Sequence, residues 1–572
     1  MGSTASTVSG TTGGAGRGHR DAGQVVIVGA GPVGMVLALD LARYGVFSVL
    51  VERDDGPLWY PKGNTHNART MEHYRRLGLA DQIRAVGLPV NHPTDVAYFT
   101  SLAGHELQRL PMPSTSEKLA VEHAVTDQVP EPLHRASQMY VERVLFDKVN
   151  STPEISCLFG WEYTGHQDSE DGVAVRIAPA ESGVERTLHA AFLVGCDGPR
   201  SMVRRTLGLS YQGEDAREQG FLTGLTRSSY LRIPKLMTRV VRRPAWQYWI
   251  LRPGAVSNLI TLDGDGEFLF HAVQGLAADD DAVRRLVVEC VGAPVEVEVL
   301  DSRDWISGRA LVAERYGAGR VLLCGDAAHL FTPTGGFGMN TGIDDAANLA
   351  WKLAGSVRGW AGPRLLGTYQ TERRPIGVRN TRAALNLARD VRGIPLGPVL
   401  DAESSAGERA RRTAAQVLTG FREEFASLGI QLGARYDDSP VVVDDGTDPP
   451  PDQPARYLPS ATPGGRAPHV WLPDGRSLFD AFSPGFTLLR FSGDQGGELD
   501  QAAALRGLPL RIVDVPGSAA RDLYERDLAL IRPDQYVAWR GNALPADLDE
   551  LLDTVTGAEQ RVSERRKADA CP

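Results

Sequence analysis

The stretch Gln24–Arg53, QVVIVGAGPVGMVLALDLARYGVFSVLVER, restricts what this chain can fold into more than any other. Gln24–Val28 is a short apolar run, rich in β-branched residues, that stops at glycine: the pattern of a strand buried on both faces of a parallel sheet. Gly29-Ala30-Gly31-Pro32-Val33-Gly34 follows, then an apolar-periodic run to Tyr44 with a Gly45 stop, then Ser48–Val51, which closes in Glu52-Arg53. Gly29 permits the tight turn out of the strand, Gly31 leaves the backbone open to a pyrophosphate, and Gly34 lets the helix pack close on the strand. The helix start presents unpaired N–H groups and a positive dipole end to such an anion. Glu52, eighteen residues past Gly34, is placed to accept hydrogen bonds from a ribose hydroxyl pair and disfavours a 2′-phosphate, so the ligand is FAD or NAD rather than NADP. The stretch alone does not separate those two.

A chain of 572 residues exceeds one core and predicts about two to four domains. Apolar content of 42% and charged content of 23% are those of a soluble globular protein. The net charge of −10, with no basic stripe, excludes nucleic acid as the expected partner. Cys157, Cys196, Cys290, Cys324 and Cys571 are scattered, odd in number and without CxxC or metal-ligand spacing. No disulfide framework and no metal are expected, and a reducing cytoplasm is the expected location. No apolar run has the length of a membrane span. Residues 1–23, rich in Gly, Ser, Thr and Ala, are expected to be a disordered tail; Met1-Gly2 with Ser6 matches an acylation pattern that chance explains in so small-residue-rich a stretch.

Along the chain, helical periodicity is expected over Ala68–Leu77, Leu79–Val86 and Gln138–Val149, and strands within Val96–Leu110 and Cys157–Pro179. Ala190–Gly198 is a second buried-strand pattern, ending in Asp-Gly. Residues 213–310 alternate apolar and polar residues (Tyr248–Leu251, Ser257–Leu262, Glu267–Ala272), which predicts an inserted antiparallel-sheet domain. Val321–Gly325 returns to the buried type, Gly342–Leu353 is helical, and Pro363–Val391 holds another long helix. Residues 396–455 form a helical linker region, and from 456 onward strands (Thr487–Phe491, Leu510–Val513, Tyr536–Trp539) alternate with helices (Leu499–Leu505, Ala519–Leu528) in a small α/β domain.

Two further glycine-centred segments matter. Gly325-Asp326-Ala327-Ala328-His329 leaves the VLLC strand, and Pro333-Thr334-Gly335-Gly336-Phe337-Gly338-Met339-Asn340 precedes a helix. An aspartate at a strand end can accept from ligand hydroxyls, and glycines before a helix expose N–H groups to an electron-rich ring. Together with GAGPVG, Glu52 and Cys196-Asp197-Gly198-Pro199-Arg200, these motifs, in this order over residues 24–395, resemble group A flavoprotein monooxygenases, the FAD-dependent aromatic hydroxylases similar to para-hydroxybenzoate hydroxylase and phenol hydroxylase. Arg466-Ala467-Pro468-His469 and Ile531-Arg532-Pro533-Asp534-Gln535-Tyr536 resemble the thioredoxin-like C-terminal domain of the subgroup that contains polyketide-tailoring hydroxylases, here without CxxC and so without thiol redox work. The implied fold is α/β: a Rossmann-like FAD-binding domain (24–212 and 311–395), an inserted antiparallel-sheet substrate domain (213–310) and a thioredoxin-like domain (456–572).

The resemblance implies roles. Gly29, Gly31, Pro32 and Gly34 hold the FAD pyrophosphate, and Glu52 with Arg53 the adenosine end. Arg69 and Gln138 line the diphosphate and ribityl region, Asp326 takes the ribityl hydroxyls, and Pro333, Gly336, Gly338, Met339 and Asn340 face the isoalloxazine. Asp197 links the pyrophosphate region to a transient NADPH or NADH site; no second dinucleotide fingerprint occurs. Lys62 stands where many members carry arginine, keeping the charge and losing the planar fork. The implied chemistry is reduction of FAD by NAD(P)H, addition of O2 at the flavin C4a, and transfer of an OH⁺ equivalent from the hydroperoxide to a phenolic or polycyclic aromatic substrate. For a base that ionises the phenol, His66, Tyr230 and His271 are candidates, and Trp246, Tyr248 and Trp249 are sheet packing that borders the cavity. A halogenase is disfavoured, because Trp246-Gln247-Tyr248-Trp249-Ile250-Leu251 has the wrong spacing for its tryptophan motif. A Baeyer–Villiger-type or decarboxylating oxygenase of secondary metabolism, a non-catalytic flavin-binding protein, and assembly as a homodimer all stay open.

Overall fold

The computed structural model describes residues 24–57, 59–120, 128–215, 225–252, 255–306, 309–390 and 397–559; the tail 1–23, Cys571 and the acylation pattern lie outside them. The VVIV run is the strand Val25–Val28, with every residue buried. It pairs in parallel with Ser48–Glu52 on one side and Phe192–Gly195 on the other. Ile155–Phe159 and Val321–Leu323 extend the parallel order outward, and Gly317–Ala318 closes one edge antiparallel. Because the strands share one direction, Gly29, Cys196 and Cys324 all leave the sheet at the same rim.

A seven-stranded sheet stands beside it, in the order Glu298–Ile306, Leu225–Arg232, Glu267–Val273, Ala255–Thr261, Gln247–Arg252, Val96–Phe99, Glu106–Leu110. Its last two strands come from before residue 213, and Val96–Phe99 runs parallel to Gln247–Arg252, so the 213–310 boundary is corrected: the sheet borrows a hairpin from the first segment. Alternation along the strands sorts two faces. Tyr248, Ile250, Phe268 and Phe270 bury against the helix Asp280–Val291, while Trp249, Ile260 and Leu269 belong to the opposite core. That second core is closed by Leu418, Phe421 and Phe425, on or near the helices Ser405–Thr419 and Arg422–Phe425. Residues 397–455 therefore form a wall of the molecule, a correction to their reading as a linker; the apolar stripe of Ser405–Thr419 has to be covered.

The C-terminal unit has strands in the order Leu510–Asp514, Phe486–Arg490, Leu528–Ile531, Val537–Gly541, the first pair parallel and the others antiparallel. With the helices Gly497–Leu505, Ser518–Tyr524 and Leu548–Thr556 this is the expected thioredoxin-like arrangement. It docks through Trp351, stacked on Trp360 and edge-on to Phe486, and through buried charge. Arg532 donates to Glu372 at 2.7 and 2.8 Å and to Asp534 at 2.6 Å, and Lys352 reaches Glu372 at 2.6 Å. Arg466 meets Glu72, and Arg69 reaches the carbonyl of Asp534 at 2.7 Å.

Three histidines of the first domain are buried neutral. Burial lowers His66 and His73 to about 3 and His134 to about 4, from an ordinary 6.5. Below pH 6.5 the unfolded chain takes up protons that the native state refuses, so stability is lost as pH falls from 6.5 toward 4. Thermal melts across that window are expected to show a falling midpoint; a flat profile would contradict the burial of these imidazoles as neutral bases.

Candidate functional site

One cavity of about 660 Å³ runs from the strand rim to the seven-stranded sheet, within the size range of cofactor and small-molecule sites. At its near end, Gly29 holds φ of 103°, and a Cβ there would lie 2.4 Å from the Cys196 carbonyl oxygen. Gly31 differs: its φ is −70° and a Cβ would meet nothing within 4 Å, so the empty space in front of it is not needed by the fold. The helices Pro32–Arg43 and Phe337–Arg358 both begin without a side-chain cap, and Gly31 and Gly336, the residues at those starts, line the cavity. Two uncapped N-termini on one cavity offer orphan N–H donors and positive dipole ends to an electron-rich, anionic ligand. Gly335 and Gly336 hold φ of 74° and 64° ahead of the second helix, which starts at Phe337, five residues before the expected Gly342. The glycines hide its first turn from periodicity.

Lys62, Gln138, Asp326, Pro333, Gly338 and Met339 line this cavity with Gly31, Pro32 and Gly336. The Asp326 carboxylate opens into it at a depth where lost solvation raises its pKa, while His329 and Lys62 pull it down. Gln138 ties the Lys62 loop in place: its N–H donates to the Gly63 carbonyl at 2.7 Å and its side chain to Glu142 at 2.6 Å. Other candidates act one step back. Glu52 accepts from the Ala30 N–H at 2.7 Å, bracing the glycine turn. Asp197 accepts from the Met202 and Val203 amides at 2.7 and 3.1 Å and keeps Oδ1 without a protein partner. The Asn340 side chain stitches Thr65, Gly336 and Asn67 together. Two placements are corrections. Arg53 points outward, its side chain 69% exposed. Arg69 is 3% exposed and spends its donors on Asp344, Glu72, Gln535 and the Asp534 carbonyl; its charge welds the C-terminal domain on instead of facing a diphosphate.

At the far end the sheet presents a row in register: Trp249 opposite Asn258, Asn258 opposite His271, His271 opposite Ser228, Ser228 opposite Arg303. All five line the cavity. Ser228 Oγ accepts from the Trp305 indole N–H at 2.6 Å and lies 2.7 Å from His271 Nδ1. Burial lowers the His271 pKa to about 4. Asn258, 2% exposed, has no partner for either carboxamide atom, and Gln247 Oε1 has none; such atoms are costly to bury unless a ligand satisfies them.

Of the three base candidates, His271 alone reaches this wall. His66 pairs backbone to backbone with His134 and lies fully buried beside Tyr74. Tyr230 sits on the cavity face of the sheet, but its hydroxyl donates to Glu267 at 2.6 Å, a carboxylate that Tyr140 also holds. Trp246 and Trp249 border the cavity, and Tyr248 faces the other core. Sequence reasoning missed Ser228, Asn258 and Trp305, which only strand register brings together, and Arg135 and Gln431, which come from segments with no motif of their own.

A family model described as an FAD binding domain matches residues 22–384, and one described as an aromatic-ring hydroxylase C-terminal domain matches residues 460–558. The FAD-dependent monooxygenase apdD of Emericella nidulans is 31% identical over 94% of this chain and 90% of its own length. The structure of RebC soaked with chromopyrrolic acid, with 7-carboxy-K252c bound, superposes with a TM-score of 0.86 at 37% identity, covering 94% of this chain and 99% of RebC. A ternary complex of aklavinone-11 hydroxylase with FAD and aklavinone gives 0.75 at 28% identity, covering 94% and 99%. With its two glycine-led helix starts on one cavity and both family domains in order, the chain belongs to the FAD-dependent aromatic-ring hydroxylases.

Proposed function

We propose that this enzyme hydroxylates a phenolic or polycyclic aromatic compound with a nicotinamide donor, and that His271 takes the phenolic proton. The observation that carries the reading is the continuity of one cavity from Gly31 to the Asn258–His271–Ser228 row: a cofactor at one end meets a ring at the other. FAD, when bound, supplies the oxygen activation. The chain's own work is to hold its diphosphate on Gly31 and the Pro32 helix start, to engage the ribityl chain with Asp326, and to keep water from the ring with Trp246, Trp249 and Phe425. His271 is neutral at working pH, and Ser228 occupies its Nδ1. Ser228 Oγ has two lone pairs, enough for the Trp305 N–H and an imidazole Nδ1–H. That arrangement leaves Nε2 as an acceptor, and the Ser228 hydrogen bond offsets part of the burial that disfavours the imidazolium.

Purified protein is expected to be yellow, and its consumption of NADPH or NADH to rise with an aromatic substrate whose product gains one oxygen atom. Protein that stays colourless and cannot be loaded with FAD would refute the assignment. His271→Asn is expected to lower kcat by about 10² to 10⁴ with phenols while FAD content stays unchanged; an unaltered kcat removes His271 from the reaction. A second reading, loss of a carboxyl group or oxygen insertion beside a carbonyl, is favoured by the likeness to RebC, whose structure holds a carboxylated ligand. Product mass separates the two.

A further inference from the structure

Arg135 is a buried cation that makes no ion pair among the described residues. It lies in the segment before the helix Gln138–Ser151, next to the bridge between His134 and His66, and its side chain lines the cavity. It is 4% exposed. Nη1 donates to Thr65 Oγ1, the guanidinium carbon stands 3.6 Å from the centre of the Trp246 ring, and Nε has no partner. Arg69, Arg373, Arg466 and Arg532 are buried as deeply, and each is bonded to carboxylates. Among the described residues no carboxylate forms an ion pair with Arg135; Glu424, on the same wall, acts on it through its charge. Lys118 behind it has the same sign, a buried Nζ without a partner, and a pKa pushed down to about 7 by burial and by Arg135. A buried charge is stable when paired, and a guanidinium is suited to planar oxyanions. The position is specific as well. Thr65 lies 3.2 Å from where a Cβ on Gly336 would be, so the cation stands where the loop of the second helix start meets Trp246 of the sheet.

Resting on the hydroxylase reading, we propose that Arg135 is the recognition site for an oxyanion borne by the aromatic substrate, a ring carboxylate or an ionised phenol, so that the enzyme selects acidic aromatics over neutral ones of the same shape. The partner is placed on the substrate because Arg135 stacks on Trp246, beside the strand Gln247–Arg252 of the seven-stranded sheet, and not on the Gly31 turn that the diphosphate requires.

The test is ligand binding to FAD-loaded enzyme, followed by perturbation of the flavin spectrum, with 2-naphthoate, 2-naphthol and 2-methoxynaphthalene. The wild type is expected to bind at least one of the two acids about tenfold more tightly than the ether; which acid is preferred, and whether bound naphthol shows the naphtholate spectrum, tells carboxylate from phenolate. Arg135→Gln is expected to erase that preference, leaving the ether and the FAD content unchanged, and Arg135→Lys to keep part of it. The proposal is overturned if the wild type does not prefer an acid, if it binds none of the three, or if Arg135→Gln weakens all ligands alike or releases FAD. Turnover is not read, so a failure to hydroxylate would count against the proposed activity and not against this site.

Discussion

Gly31→Val is expected to weaken FAD binding by about 100-fold, or about 2.8 kcal/mol, while changing the stability of the FAD-free chain by no more than about 1 kcal/mol. The backbone at Gly31 is ordinary, with φ −70° and ψ 179°, and a Cβ would meet no protein atom within 4 Å. What the new side chain would occupy is the approach to the N–H groups of the Pro32–Arg43 start, where a pyrophosphate has to come close. Gly29→Ala is the contrasting case. Its Cβ would be driven 2.4 Å from the Cys196 oxygen at φ 103°, so the loss is one of folding. Fluorescence titration of FAD and denaturant unfolding of the apo-protein separate the two variants. A Gly31→Val protein that retains FAD would mean the pyrophosphate does not lie against this turn.

Arg532→Ala is expected to destabilise the chain by about 3 to 5 kcal/mol, the penalty typical of breaking a buried ion pair from one side. Arg532, Glu372 and Lys352 have no exposed side-chain surface. Burial alone would raise the Glu372 pKa, yet Arg532 and Lys352 hold it well below the ordinary value. Lys352 is itself pushed down to about 8 by burial, so Arg532 is the firmer counter-ion. Without Arg532, Glu372 keeps Lys352, Asn348 and Ser439, and Asp534 loses its charged partner and keeps the Asn348 amide at 3.0 Å. Because Asn348 and Lys352 lie on the helix Phe337–Arg358, whose first turn borders the cavity, FAD retention is expected to fall together with stability. A denaturation midpoint that moves by less than the equivalent of about 1 kcal/mol would show that the C-terminal domain is held by its apolar contacts alone.

How far the residues speak for themselves depends on the range of the interaction. The Gly29–Gly34 turn, its flanking strands, Asp326 and the Gly335–Gly338 segment are local: strand periodicity, glycine and helix starts are written within about ten residues, and all of them meet at one rim. Arg69 failed as a local inference because its partners, Asp344, Gln535 and the Asp534 carbonyl, lie hundreds of positions away. An arginine in a local motif has no inherent direction; whichever acceptors are buried with it decide. His66 and Tyr230 failed in the same way, one turned into a bridge with His134, the other tied to Glu267. The sequence by itself determined the fold class and the glycine turn and strand ends that meet at one rim of the sheet, since those follow from short-range patterns. The tertiary structure alone decided the far end of the cavity. Register across four strands puts Asn258, His271 and Ser228 in one row, and folding of the 397–455 segment over it encloses that row. Arg135 became visible only as a buried charge that makes no ion pair among the described residues.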